Sequence, residues 1–428
     1  MDQKIIKYQL SCPSTFKSKL LAYAKRFTCF CFLDSNSGNP DSEFDFLFAC
    51  NKKQELLDSE EPFLDLKNII DSSNDWLFGY LTYDLKNSIE NLNSNNLDNQ
   101  SFPRLHFFSA EIILKIKDHD LIIFYDSKYL RDDIDNLFSE INHISFISQD
   151  FEKMQIKSRI TKNEYIETIH AIKEHLQIGD IYEMNYCQEF YVEHVDIDPV
   201  VLFSKLNHMS KAPFSSFYRI NNNFCLCASP ERFLKKEGNR IISQPIKGTI
   251  KRLSDNLLDR NQKKKLLSSS KDFSENVMIV DLVRNDFSRF AKKKSVHVDE
   301  LAALYTYTDV HHLISTISCE LDSQKHLVDA IKLSFPMGSM TGAPKIKSMQ
   351  LIEKYETTLR GLYSGAIGYI KPNKDFDFNV VIRSVFYNQQ SRYLSFMVGG
   401  AITIDSDPEL EYEECLAKAK SIFKVLEK

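Results

Sequence analysis

Apolar runs of strand length recur along almost the whole chain, and they constrain the fold more than any single motif. Residues 27–33, 44–50, 76–82, 180–190, 224–228, 240–246, 313–321 and 394–398 are such runs, separated by polar or glycine-containing segments. Residues 112–125 read as two runs about a polar turn, a hairpin. Gly79 lies inside one run, where two surfaces can meet closely. Helix signals are fewer. Thr161 and Glu164 form a capping box, with Ile160 and Tyr165 placed as a hydrophobic staple, so a helix is expected from 162 to about 177, ending at Gly179. Further helices are expected at 272–286, 345–355 and 408–426, the last opened by Asp407 as N-cap and Pro408 at N1. The chain is strand-rich, but the runs do not by themselves fix how its sheets pack.

At 428 residues the length suggests two or three domains. The pattern breaks between 145 and 157, so one domain is expected over 1–150 and a second over 155–428. The net charge of −5 argues against a general nucleic-acid binder. No apolar run is long enough for a spanning helix, and the first residues lack a signal-peptide pattern, so no membrane association is expected. The nine cysteines are scattered; Cys29/Cys31 and Cys225/Cys227 sit inside apolar runs and read as packed thiols, not zinc ligands. A reducing, cytoplasmic compartment fits that usage.

Polar residues capable of chemistry concentrate after residue 180. The run at 240–246 delivers Lys247 at an expected strand end, beside Gly248, which permits a sharp turn. Glu231 follows a Ser-Pro turn on what reads as an antiparallel neighbour. Such a pair is most often a plain ion pair, and otherwise a proton-transfer carboxylate beside an amine nucleophile. Asp272 or Ser274 can cap the 272–286 helix, placing Glu275 in its first turn, while Asp281, Arg284 and Asp286 read as a local structural ion-pair set. Of His311 and His312, one must face away from the other if they lie on a strand. The loop at 335–345 combines glycine, serine and threonine before a helix and offers N–H groups to an anion, although it lacks Walker A spacing. Arg383 stands in an otherwise apolar run and needs an anion from protein or ligand. Glu411, Glu414 and Lys418 share one helix face. A Glu414–Lys418 pair is usually surface decoration, yet carboxylates opposite Glu275 would suit magnesium.

Eight of these segments occur together in the order found in the chorismate-utilising enzymes, the family of the component I chains of anthranilate synthase and aminodeoxychorismate synthase. They span 228–233, 245–249, 274–286, 310–316, 335–345, 363–369, 382–384 and 399–418; residues 76–85 resemble the family's N-terminal part more weakly. The resemblance implies an α+β protein with the anthranilate synthase component I-like fold, two intertwined lobes of packed antiparallel sheets with helices outside. It further implies an N-terminal component I-like domain over 1–150 and a chorismate-binding catalytic domain over 155–428. Within the family, Lys247 in Pro-Ile-Lys-Gly-Thr is similar to the aminodeoxychorismate synthases, where anthranilate synthases typically carry alanine. Lys211-Ala212-Pro213-Phe214 is similar to the same branch. Glu183 stands where water-using members place a lysine, which disfavours isochorismate or salicylate formation. Anthranilate synthase component I is the alternative, and a catalytically silent chorismate-binding subunit is disfavoured by the intact acidic and basic residues.

What the resemblance implies for the site follows residue by residue. Glu275 and Glu414, with Glu411 and Asp272 near, would hold Mg2+ for the ring carboxylate of chorismate. Arg383, Tyr363, Lys418 and the Gly399-Gly400 backbone would hold the enolpyruvyl carboxylate. Thr249, His312 and Ser339 would complete the substrate site. Glu231 would be the general acid for the departing C4 hydroxyl, and Lys247 the nucleophile at C2, its amine partly deprotonated by burial or nearby cations. Ammonia would come from a separate glutamine amidotransferase subunit, because no fused domain with a catalytic-cysteine elbow is evident. The product expected is 4-amino-4-deoxychorismate, the precursor of 4-aminobenzoate and folate. Ala401, Met337 and Met340 depart from the family pattern, and its tryptophan-binding motif is not evident.

Overall fold

The computed structural model describes residues 3–36, 42–145, 151–307 and 310–427. Among them, strands join by antiparallel pairing into one branched network. The branch point is the long strand Leu105–Lys117. One of its edges pairs along most of its length with Phe46–Leu57; the other pairs first with Leu77–Leu81 and then with Asp120–Asp126. The last pairing is the expected hairpin.

From Phe46–Leu57 one branch runs through Cys29–Asp34, Phe214–Ile220, Asn223–Ser229, Ser384–Asn388 and Tyr393–Ile402 to Glu183–Val192. From Leu77–Leu81 the other runs through Ala366–Ile370, Phe376–Asn379, Arg232–Glu237 and Arg240–Gln244 to Val310–Glu320 and His297–Thr306. Both branches therefore mix strands from the beginning and the end of the chain.

Side-chain alternation explains the layering. In the first branch, Phe30, Phe32, Phe48 and Phe396 face one core, which the helices Lys162–Gln177, Pro199–Ser210 and Pro408–Leu426 cover. The residues between them, Cys29, Cys31, Leu47 and Cys227, face a second core shared with Phe107 of the branch-point strand, with Phe78 and Ile317 of the other branch and with Ile279, Val283 and Phe287 of the helix Ser270–Ser288. Each fully buried phenylalanine contributes roughly 1.5–3 kcal/mol relative to exposure. The α+β class, with antiparallel sheets packed together and helices outside, is the one expected. Gly79 instead makes room within its own sheet: a Cβ there would stand 2.3 Å from the ring of Phe107, its partner on the neighbouring strand, and 2.4 Å from the His106 carbonyl oxygen.

Thr161 and Glu164 form the reciprocal cap as expected, and Gly179 follows with φ +81°. The helices Lys345–Tyr355 and Pro408–Leu426 fall where predicted. The helix expected from 272 starts earlier, at Ser270, because the Ser269 hydroxyl caps the N–H of Asp272. The helix Asn256–Leu267 was not among the expected elements; only Asp259 and Leu266 on it are buried, so it leaves almost no apolar periodicity. All nine cysteines are free thiols, and all but Cys12 are buried. No helix among the described residues is long and apolar enough to cross a membrane.

Candidate active site

Lys247 lies within a strand, not at its end. The run at 240–246 divides at Pro245, which has no N–H to give a ladder; Arg240–Gln244 and Ile246–Lys251 then pair in turn with Val310–Glu320. The second pairing slips between Ile246 and Thr249, a bulge in which Gly248 adopts φ +92°. A Cβ at Gly248 would also stand 3.1 Å from Asp272. The bulge aims Lys247 into a cavity of about 620 Å³. Its Nζ donates to Glu183 Oε1 at 2.7 Å and lies 4.0 Å from Glu275 Oε2. Burial pushes the ammonium down, but Glu183, Glu275 and Glu231 outweigh it and hold it well above the ordinary lysine value. These carboxylates oppose the partial deprotonation expected of Lys247. Asn276 Nδ2 donates to the Lys247 carbonyl at 2.7 Å and ties this strand to the helix Ser270–Ser288.

Glu231 enters the same cavity from the chain before Arg232–Glu237. That strand pairs with Arg240–Gln244, and Lys247 lies on the strand after that, Ile246–Lys251, so Glu231 and Lys247 are not direct cross-strand partners. Ser339 Oγ donates to Glu231 Oε1 at 2.6 Å. Burial pushes the Glu231 carboxyl up to about 7, against the Ser339 hydrogen bond, the Lys247 charge and the Ile246 N–H. A carboxyl poised there can give or take a proton near neutrality.

Four acidic residues approach the opposite wall. Glu275, in the second turn of its helix, is pushed up to about 7 by burial, with Lys247 opposing. Glu414 is held below the usual carboxylate range by Lys418, 2.8 Å away, so this pair faces the cavity and is not mere surface decoration. Asp272 also lines the wall. Glu411 does not; its Oε1 accepts from Ser406 at 2.7 Å and from Lys271 at 3.2 Å, and its Oε2 is one of the atoms nearest a Cβ built on Gly400, at 3.3 Å. Among the described residues no three His, Cys, Asp or Glu side chains converge as a ready cation cage. Magnesium commonly takes only one or two protein carboxylates, with water and ligand oxygens completing its shell. Glu275 and Glu414 on one wall fit that demand; a four-carboxylate cage does not describe them.

Arg383 is in a bend between strands, with φ +55°, where an apolar strand was expected. Its Nη1 donates to the Lys418 carbonyl, and among the described residues no carboxylate pairs with it. Burial pushes its pKa down, with the Tyr363 and Glu414 charges opposing, so an anion brought by a ligand would suit it. Lys418 Nζ also reaches the Gly399 carbonyl at 2.9 Å. Gly399 pairs with Cys187 of Glu183–Val192, and a Cβ there would stand 2.1 Å from the Tyr186 carbonyl oxygen; Gly400 follows on the same strand outside the cavity lining. Tyr363 is buried, with Cys187 Sγ 3.6 Å from its hydroxyl. His312 Nδ1 and Thr249 Oγ1 are 2.7 Å apart, and burial pushes the His312 ring down to about 3, so it is neutral. His311 faces away, toward Asp259 and Thr306.

The structure thus brings twelve of the fourteen expected residues to one cavity, Glu411 and Gly400 standing just behind its wall. The 335–345 loop contributes differently from expectation. The N–H groups of Met340 and Thr341 close their own turn, so the loop's contribution is the Ser339 hydroxyl. Asp286 pairs with Lys345 at 2.6 Å, leaving Arg284 to Asp281 at 2.8 Å. Lys271, which lies between Glu275 and Glu411, and Asn276 were not singled out from the sequence. Lys271 stands one turn before Glu275, a spacing that could have drawn attention to it.

A buried amine and a raised carboxyl share a cavity in which Arg383 has no carboxylate partner among the described residues, an arrangement suited to an enzyme acting on a small anion. The chorismate binding enzyme family matches residues 27–424, and the chain belongs to that family. Aminodeoxychorismate synthase component 1 of Salmonella typhimurium is 41% identical over 271 residues, 63% of this chain and 59% of that protein. The chain therefore matches about three fifths of that relative's length. The Bacillus subtilis protein of the same name is 30% identical over 362 residues, 82% of this chain and 76% of that one. The crystal structure of anthranilate synthase component I from Streptococcus pneumoniae superposes with a TM-score of 0.77 at 23% identity, covering 99% of this chain and 92% of that chain. That likeness bears on the fold.

Proposed function

We propose that the chain is the chorismate-converting component of an aminodeoxychorismate synthase, forming 4-amino-4-deoxychorismate and water from chorismate and ammonia. The observation that carries this reading is Lys247, a buried amine aimed by a bulge into the cavity that also presents Glu231. Arg383, which no carboxylate among the described residues pairs with, and Lys418 would hold the enolpyruvyl carboxylate. Glu275 and Glu414 would hold Mg2+, which supplies positive charge for the ring carboxylate. Glu231, protonated below about pH 7, gives its proton to the departing C4 hydroxyl, which leaves as water. Lys247, once it has given a proton to solvent, attacks C2; the C1=C2 bond moves to C1=C6, the C5=C6 bond moves to C4=C5, and the C4–O bond breaks. Ammonia then adds at C4, both double bonds shift back, the Lys247 amine leaves C2, and Glu231, now a carboxylate, takes a proton from the new ammonium. Neutral His312 and Thr249 line the ring without adding charge.

A glutamine amidotransferase subunit would supply the ammonia, and the product would serve 4-aminobenzoate and folate synthesis. The free thiols support a reducing, cytoplasmic setting. The purified chain, given chorismate, magnesium and ammonium, is expected to yield 4-amino-4-deoxychorismate, identified by mass and fluorescence. Anthranilate as the sole product would overturn the reading. Glutamine should replace ammonium only when an amidotransferase subunit is added.

A further inference from the structure

The 3₁₀ turn Gly338–Met340 carries Ser339, and three successive carbonyls at its end are held from one side. The Ser339 oxygen accepts from Asn185 Nδ2 at 3.0 Å, the Met340 oxygen from Arg360 Nη1 at 2.6 Å, and the Thr341 oxygen from the Asn185 N–H at 2.8 Å. Arg360 is fully buried, and each of its N–H groups finds an acceptor. Nη2 reaches the Asn185 carbonyl at 2.9 Å, which closes a ring of bonds between the turn, Asn185 and the guanidinium. Glu356 takes Nε and Nη2 at 2.9 and 2.6 Å, and its Oε1 also accepts the Cys187 N–H at 2.9 Å. The Tyr83 ring stands 4.6 Å from the guanidinium carbon. The ion pair is thereby anchored to the strand Glu183–Val192. Asn185 is two residues from Glu183 on that strand, on the same face, and lines the cavity.

We propose that Asn185 and Arg360 are positioning residues that hold the Ser339 turn where its hydroxyl donates to Glu231. Neither has a role in the reaction as described above, and the inference rests on that reading only for the part Glu231 plays. The remaining groups that favour ionised Glu231, Lys247 and the Ile246 N–H, reach it from the strand Ile246–Lys251. The neighbouring Arg232 is engaged by Asp377 at 3.0 Å. Releasing the turn therefore removes one stabilising hydrogen bond from the carboxylate and leaves the others in place.

The test uses Asn185→Ala, Ser339→Ala, their double variant and Arg360→Lys, with Glu231→Gln as the spectral reference. Glu231 is titrated in the resting protein by difference infrared spectroscopy of its carboxyl band. Loss of a hydrogen bond to a charged group should raise the midpoint by about one pH unit in Asn185→Ala and in Ser339→Ala. The double variant should move it no further than either single change. Arg360→Lys keeps a cation beside Glu356 but cannot span both carbonyls, so it should shift the midpoint in the same direction, which keeps the test open if Asn185→Ala does not fold. The high-pH limb of kcat/KM for chorismate consumption should follow. An unmoved midpoint in Asn185→Ala, or shifts that add in the double variant, would overturn the inference. A midpoint that moves as expected in a protein that never aminates chorismate would sink the proposed function and leave the positioning role standing.

Discussion

Replacing Glu231 by glutamine should make the protein more stable at pH 8 than at pH 5 relative to wild type. Below about 4.5, the ordinary glutamate value, the carboxyl is protonated in both the folded and unfolded chain and contributes no difference. Between 4.5 and about 7 the unfolded chain has released this proton while the folded chain keeps it, so folding stability falls as pH rises; above about 7 the loss is complete. Raising a carboxyl from 4.5 to about 7, at 1.36 kcal/mol per pH unit, costs about 3 kcal/mol in all. About 2–3 kcal/mol of that accrues between pH 5 and pH 8. Glutamine occupies nearly the same volume and does not titrate, so the variant should escape the cost. Glu275 is raised to a similar range, but it is present in both proteins and largely cancels in the comparison. The assay is urea unfolding at the two pH values, followed by the fluorescence of Trp76, the only tryptophan and a buried one. Parallel pH dependence in the two proteins would refute the account of Glu231 as a carboxyl raised by burial.

Lys345→Ala would leave Asp286 buried without the ammonium now 2.6 Å away, so unfolding by urea should show a loss of about 3–5 kcal/mol. Gly399→Ala sets a methyl against the Tyr186 carbonyl, which cannot yield without moving the strand; thermal melts should show a loss of about 1–3 kcal/mol or more. Gly400→Ala meets the side-chain ends of Glu411, Lys418 and Glu414, at 3.3, 3.4 and 3.9 Å, and should melt close to wild type. Glu275→Gln and Glu414→Gln should each weaken magnesium binding measured by calorimetry in the presence of chorismate, because each removes a charged oxygen ligand. Unchanged affinity in both would remove these residues from the metal site.

Local signals were legible where one short segment determines its own geometry. The Thr161–Glu164 cap and Asp407-Pro408 fix helix starts through bonds made within a turn, and the hairpin ending at Asp126 is read from its two flanking runs. Strand alternation likewise separates Phe30 and Phe32 from Cys29 and Cys31, although what each face meets is not local. Cys29–Asp34 pairs with Phe214–Ile220, and no feature of either run specifies the other. The site shows the same division. Residue types announced its chemistry, and the family order of the motifs announced that they meet. Arg383 was misplaced because its positive φ is set by packing around the bend, and Asp286 because its partner Lys345 comes from a distant helix rather than the next turn. Asn185 and Arg360 gave no signal at all, since an asparagine in a strand and an arginine in a loop acquire meaning only through the carbonyls they hold.

Lys247 shows most clearly why burial alone is a poor guide to a lysine's protonation. Desolvation is present and does push the amine toward its neutral form, as reasoning from sequence requires of a nucleophile. Yet Glu183 at 2.7 Å and Glu275 at 4.0 Å outweigh it and hold the amine's pKa above the ordinary lysine value. On the proposed reading, the amine becomes nucleophilic only when part of that negative charge is otherwise engaged. Glu275 is the adjustable partner, because it lies farther from Nζ and faces the wall where a cation and a substrate carboxylate would meet. Glu183 is the fixed one, buried on its strand and directly bonded to the amine. The same pair of carboxylates that holds the Lys247 proton would thus couple its activation to binding at the site.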